Sequence, residues 1–211
     1  MLKAIIFDLD GTLVNSVDFW LSLYKKTAKR VNIKLDSKEI SKRFGESDVN
    51  ILLSLIPEEK RKEALDYYYK LKEKEKKKLN LKKFEFVDEV LKKIKERNIK
   101  IAIATGNSRD IAELIIKKNG LEKFIDFIVT YEDVKRGKPY PDMILKIIKH
   151  FNVKREEVLY VGDSLYDFES ARRARVKIGI VLSGVLNRVE AEKLNPDFIF
   201  KDIRDVLKVL S

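Results

Sequence analysis

The chain has 211 residues, of which 45% are hydrophobic and 37% charged, enough apolar material for a packed core and too much for a disordered chain. Its 45 Lys and Arg against 34 Asp and Glu give a formal charge of +11, which permits attraction to nucleic acid, anionic lipid or a small anionic substrate. Cysteine is absent, which excludes disulfides, thiolate metal sites and a catalytic thiol.

Residues 3–9 form a short apolar run that reads as a buried strand. It runs into Asp8-Leu9-Asp10-Gly11-Thr12. From residue 16 to residue 82 the patterns are helical, with no convincing strand. Val17, Trp20, Leu21, Tyr24, Ala28 and Val31 make one apolar stripe, with Ser16 as its expected N-cap. Residues 58–83 are highly charged and read as a solvated helix, with one ring of the Tyr67-Tyr68-Tyr69 run on a core face. Residues 86–97, 110–119 and 141–151 carry helical spacing. Between and after them, residues 99–104, 127–130, 158–161, 177–182 and 198–200 read as strands. Apolar strands alternating with helices predict an α/β fold: a parallel sheet covered on both faces, hence three layers.

No run approaches the roughly 18–20 apolar residues of a membrane span, and the start is too short and too acidic for a signal peptide. The expectation is a soluble, cytoplasmic protein. The lysines are spread along the whole chain, so a solvated surface is expected and a nucleic-acid partner is not. Oligomeric state is not readable from the sequence.

Polar residues cluster where the strands end. Asp8 and Asp10 follow the first strand, Thr105-Gly106-Asn107 follow the second, and Gly162-Asp163-Ser164 follow residues 158–161. Ligands of open parallel sheets bind at the carboxyl ends of strands. Lys138 follows a further strand and precedes a helix, near the same edge. Carboxylates converging there repel one another by about 4 kcal/mol at 4 Å and an effective dielectric near 20. A hard divalent cation, Mg²⁺, removes that penalty. The only histidine, His150, cannot build a histidine-rich metal site. Taken singly, each motif has a plain structural explanation. Asp10-Gly11 makes a turn, Asp163-Ser164 caps a helix, and Lys138 is one lysine among many.

Together, Asp8-Leu9-Asp10-Gly11-Thr12, Thr105, Lys138-Pro139-Tyr140-Pro141-Asp142 and Gly162-Asp163-Ser164-Leu165-Tyr166-Asp167 resemble the four ordered motifs of the haloacid dehalogenase-like hydrolases. Within that family the chain is most similar to the phosphoglycolate phosphatase-like members with a helical cap. The resemblance implies a Rossmann-like catalytic core of residues 1–15 and 83–211 and a helical cap of residues 16–82. It implies a Mg²⁺-dependent phosphatase acting on a small phosphomonoester, phosphoglycolate among the candidates, through an aspartyl-phosphate. Asp8 would be the nucleophile and Asp10 the acid and base. Thr105, Gly106, Asn107 and Lys138 would bind phosphate. Asp8, Asp163 and Asp10, the last through its backbone carbonyl, would hold the metal, with Asp167 behind them.

Arg43 is the speculative cap contact to substrate, beside Glu46 and Ser47. Asp10 argues against carbon–halogen chemistry, which needs no acid for its leaving group. The absence of adjacent Glu-Asp in the fourth motif argues against a mutase. Departures from the family pattern are Asn15, Gly106-Asn107 after Thr105, and Arg175 where a turn glycine is usual. Pyrophosphatase or sugar-phosphate mutase activity, or a basic nucleic-acid-binding protein without turnover, are the alternatives.

Overall fold

The computed structural model describes residues 1–76 and 78–210. Six strands build the main sheet: β1 (Ala4–Phe7), β4 (Lys100–Thr105), β5 (Phe127–Thr130), β6 (Val158–Gly162), β7 (Lys177–Val181) and β8 (Phe198–Phe200). Their order is β5-β4-β1-β6-β7-β8, and every pairing is parallel. β1 sits in the centre, with Phe7 opposite Ile103 on one side and Val161 on the other. The chain fills one side of β1 first and then the other, so the strand order reverses at β1. A crevice therefore opens beyond its carboxyl end.

Both faces of the sheet are covered. Ile5, Phe7, Ile101 and Ile103 join a core with helices α5 (Val87–Glu96) and α6 (Arg109–Lys118). Ala4, Ile6, Ala102 and Ala104 join a second core with α7 (Asp142–Phe151) and α8 (Leu165–Ala174). Neighbouring residues of one strand thus serve opposite layers, as the period of two requires. The result is the expected three-layer, Rossmann-like α/β arrangement.

Between β1 and α5 lie α1 (Val17–Arg30), α2 (Ser37–Ser41), α3 (Asp48–Leu55) and α4 (Glu58–Lys76). α1 turns Trp20, Leu23, Tyr24 and Ala28 inward. α4 is highly charged but not wholly solvated, because Ala64, Tyr68 and Lys72 are buried on one of its faces. Of the tyrosine run, Tyr68 is enclosed and Tyr69 is half exposed.

One boundary departs from the sequence reading. The helix expected over residues 58–83 ends at Lys76. Lys82–Lys83 (β3) instead pairs antiparallel with Val14–Asn15 (β2). A two-residue ladder is too short to show alternation, so the pattern carried no sign of it. These paired strands tie the two chain crossings into and out of the helical insertion. Arg175 adopts the left-handed conformation (φ 59°) at the end of α8, the position where a glycine was expected.

Candidate active site

β1 ends at Phe7, and the next residue turns its carboxylate into the crevice. Asp8 is held by its backbone N–H on the Val161 carbonyl, 2.9 Å away. Its Oδ1 accepts a hydrogen bond from Lys138 Nζ at 2.7 Å. The same ammonium donates to Asp167 Oδ1 at 2.6 Å. Lys138 comes from the loop before α7 and Asp167 from the first turn of α8, and both side chains are fully enclosed. Burial works against the Lys138 cation, but the Asp167 and Asp8 carboxylates more than offset it and hold its pKa above the usual lysine range.

Asp163 follows β6 and is also buried. Its Oδ1 accepts from Thr12 Oγ1 at 3.0 Å, and its Oδ2 accepts from the Val185 backbone N–H at 2.8 Å. Glycines make room for it. A Cβ on Gly11, which has φ +75°, would stand 2.3 Å from Asp163 Oδ2. Burial, and then the neighbouring Asp167 charge, push the Asp163 carboxyl up to about 7. Burial also raises Asp8 well above the carboxylate range; Lys138 pulls it down, while Asp167, Asp163 and Asp10 push it up.

Asp8, Asp163 and Asp167 present carboxylate oxygens that lie within 4.8 Å of one another. Three buried carboxylates with one ammonium are an unbalanced set, and hard oxygen donors at this spacing suit a divalent cation such as Mg²⁺. Asp167 is the most committed of the three. Its Oδ1 accepts from Lys138 and Tyr160, and its Oδ2 accepts from the Ser164 hydroxyl and the Asp163 and Ser164 amides.

The Asp10 carboxylate stands apart from that group. Its Oδ1 accepts from Ser16 Oγ at 2.6 Å and from Trp20 Nε1 at 2.7 Å, and its Oδ2 from the Asn107 side-chain amide. Burial raises its pKa, and these three hydrogen bonds work against the rise. Ser16 thus precedes α1 as expected, but its hydroxyl serves Asp10 rather than capping the helix. Thr105 is buried at the end of β4, and its Oγ1 accepts from the Asn107 backbone N–H at 3.2 Å.

These groups border a cavity of about 400 Å³, counting its open mouth. Asp8, Asp10, Asp163, Gly106 and Asn107 form one wall. Trp20, Tyr24, Phe44, Glu46 and Asp48 of the helical insertion form the other. The insertion sits directly on the loop after β4, since a Cβ on Gly106 would fall 2.4 Å from the Glu46 carbonyl oxygen. Arg43 does not line the cavity. Its guanidinium bonds Glu46 Oε1 at 3.2 Å and approaches the Tyr166 hydroxyl at 3.5 Å. Ser47 caps α3 by accepting from the Asn50 amide.

Sequence reasoning missed Trp20 and Tyr160. Trp20 lay in an apolar stripe and was assigned to packing alone, although its indole N–H reaches Asp10. Tyr160 was read as strand filling. Its place just before Val161-Gly162-Asp163 was the available signal.

A parallel α/β sheet carrying buried carboxylates and a buried lysine at its carboxyl edge is suited to hold a divalent cation and a phosphate group. The comparisons name the family. A model described as haloacid dehalogenase-like hydrolase matches residues 5–181. A Caldanaerobacter subterraneus protein named for the pyrophosphatase PpaX is 34% identical over 210 residues, covering 99% of this chain and 94% of that protein. The pyrophosphatase PpaX of Bacillus cereus is 29% identical, covering 100% of this chain and 97% of its own. The crystal structure of a hydrolase from Pseudomonas syringae superposes with a TM-score of 0.85 at 30% identity, covering 100% of this chain and 98% of that one. The chain belongs to the haloacid dehalogenase-like hydrolase family, and it is an enzyme. Among the described residues, no helix is long and apolar enough to cross a membrane.

Proposed function

We propose that this chain is a phosphatase that hydrolyses a small phosphate compound in two steps through an aspartyl-phosphate on Asp8. The observation that carries the reading is the buried trio Asp8, Asp163 and Asp167 around one lysine, with Asp10 held separately two residues from Asp8.

In the first step an Asp8 carboxylate oxygen attacks phosphorus, and the bond from phosphorus to the leaving oxygen breaks. Asp10 gives its proton to that oxygen. In the second step Asp10 takes a proton from the water that attacks the phosphorus, and the bond to Asp8 breaks, releasing phosphate. Burial raises the Asp10 pKa, which favours the protonated form the first step needs. The Thr105 hydroxyl and the Gly106 amide supply donors to the phosphoryl oxygens, while the Asn107 side chain holds Asp10 and Lys138 offsets the charge on Asp8. Asp8, Asp163 and the Asp10 carbonyl would hold Mg²⁺, which supplies positive charge against the transferring phosphoryl group. Residues 16–82 act as a cap over residues 1–15 and 83–211.

Two observations favour pyrophosphate over phosphoglycolate as the substrate. The curated relatives of Caldanaerobacter and Bacillus carry the pyrophosphatase name. Among the described residues no lysine or arginine lines the cavity, so a leaving carboxylate would meet Glu46 and an Asp48 already paired with Lys72. Pyrophosphate chelates its own Mg²⁺ and needs no cation from the cap. The test is phosphate release from pyrophosphate, phosphoglycolate and p-nitrophenyl phosphate, with Mg²⁺ and with a chelator. The expected result is Mg²⁺-dependent release, fastest with pyrophosphate, and none from folded Asp8→Asn. Turnover by Asp8→Asn would remove the nucleophile assignment.

A further inference from the structure

Asp167 is seated with unusual completeness. Its Oδ2 accepts from Ser164 Oγ at 2.6 Å, from the Ser164 amide at 3.1 Å and from the Asp163 amide at 3.3 Å. Its Oδ1 accepts from Lys138 Nζ at 2.6 Å and from the Tyr160 hydroxyl at 2.8 Å. A carboxylate offers about four lone-pair sites, so these donors occupy it fully. The seat is also built by an absence. A Cβ on Gly162 would lie 2.4 Å from Asp167 Cγ, so only glycine at the end of β6 lets the carboxylate come this close.

Tyr160 is the one donor of that seat whose hydroxyl has no other partner among the described residues and whose ring also faces the cation. Lys138 Nζ lies 5.6 Å from the ring centroid. Burial and the Asp167 charge keep the Tyr160 hydroxyl protonated, so it remains a donor throughout the working range.

The consequence is a chain of three hydrogen bonds: Tyr160 and Lys138 both donate to Asp167, and Lys138 also donates to Asp8. Tyr160 and Lys138 share one oxygen, Asp167 Oδ1. The hydroxyl disperses part of the negative charge that draws the ammonium toward Asp167. Without it, that oxygen has only Lys138, and the ammonium is drawn toward Asp167 and away from Asp8. We infer that Tyr160 is a positioning residue for phosphoryl transfer: by sharing Asp167 Oδ1 it sets where the Lys138 ammonium stands against Asp8. The inference rests on the reading of Asp8 as the phosphoryl acceptor.

Tyr160→Phe removes the hydroxyl and keeps the ring. With pyrophosphate as substrate, kcat is expected to fall roughly tenfold, the scale of one hydrogen bond to a charged group, while KM stays within about twofold. A packing defect would instead lower the melting temperature and leave kcat unchanged per folded molecule. The decisive readout is a double-mutant cycle. Trp20 is the only tryptophan and borders the cavity, so its fluorescence reports binding of orthovanadate, a probe of the transferring phosphoryl geometry. Tyr160→Phe should weaken orthovanadate roughly tenfold in the wild-type background and less than about twofold in Lys138→Met. Asp167→Asn is the replacement background should Lys138→Met fail to fold. Unchanged kcat in Tyr160→Phe, or the same loss of orthovanadate affinity in both backgrounds, would overturn the inference. Turnover surviving in Asp8→Asn would instead strike the reaction itself, independently of the cycle.

Discussion

Raising the pH of the metal-free protein should destabilise it, and Mg²⁺ should cancel much of the loss. The Asp163 carboxyl moves from 3.8 in the unfolded chain to about 7 in the fold. A raised carboxyl means the native state binds more protons than the unfolded chain, so stability falls as pH rises between those two values. Integrated from about pH 5 to about pH 8, this one group removes about 2–3 kcal/mol. In a domain of this size that lowers the melting temperature by about 5–10 °C. Asp8 and Asp10, both raised, act in the same direction. Asp110 and Asp202, lowered to about 2, lose their contribution only below the unfolded value of 3.8, so they are flat across this window. Mg²⁺ at a hundred times its dissociation constant restores about 2.7 kcal/mol, and only where the carboxylates are ionised. The assay is thermal melting at both pH values with a chelator and with Mg²⁺, repeated on Asp163→Asn, which should flatten the slope. A chelated protein that gains stability from pH 5 to pH 8 would refute the argument. So would Mg²⁺ raising the melting temperature equally at both.

Three further outcomes follow from the same geometry. Lys138→Met strands Asp8 as a buried carboxylate without its cation; urea unfolding at pH 8 should show a loss of about 3–5 kcal/mol, partly recovered at pH 5 as Asp8, already raised by burial, takes up a proton. Asp10→Asn should lower turnover by about 10²–10⁴-fold, yet rapid-quench labelling should still find phosphorylated Asp8 when the leaving group needs no proton, as with p-nitrophenyl phosphate. Gly106→Ala drives a methyl to 2.4 Å from the Glu46 carbonyl and 2.9 Å from that of Gly45, so steady-state kinetics should show a large drop in kcat/KM with a nearly unchanged melting temperature.

The sheet was legible because its strands announce themselves one at a time. Each of residues 158–161 is apolar, and buried parallel strands need no partner to reveal that. The acidic edge was legible for a related reason: Asp8, Asp10 and Asp163 stand one to three residues past apolar runs, and parallel strands deliver such positions to one edge. The connections among them were not legible, because each joins segments with no shared period. The amide of Asn107 reaches Asp10 across 97 positions, and Lys138 reaches Asp8 across 130. Asn107 was expected to offer its backbone amide to phosphate. In the structure that amide turns to Thr105 Oγ1, and the side chain serves Asp10 instead.

Trp20 and Tyr160 illustrate why the amphipathic residues were the hardest to read. Each fits an apolar position by its ring, and periodicity weighs only that. Each also carries one polar hydrogen, which burial obliges to find an acceptor. For Trp20 the acceptor is Asp10, and for Tyr160 it is Asp167. An apolar core position filled by Trp or Tyr therefore carries a demand that Leu or Ile would not. Near an acidic edge that demand is met by the functional carboxylates, which are the buried acceptors nearest to hand. Tyr24 follows the same logic within the insertion, its hydroxyl on Asp48 Oδ1 at 2.8 Å and Lys72 Nζ on the other oxygen at 2.5 Å. Tyr68 departs from it, for its buried hydroxyl makes no well-formed hydrogen bond among the described residues; the Asp48 carboxylate beside it is already taken by Tyr24 and Lys72.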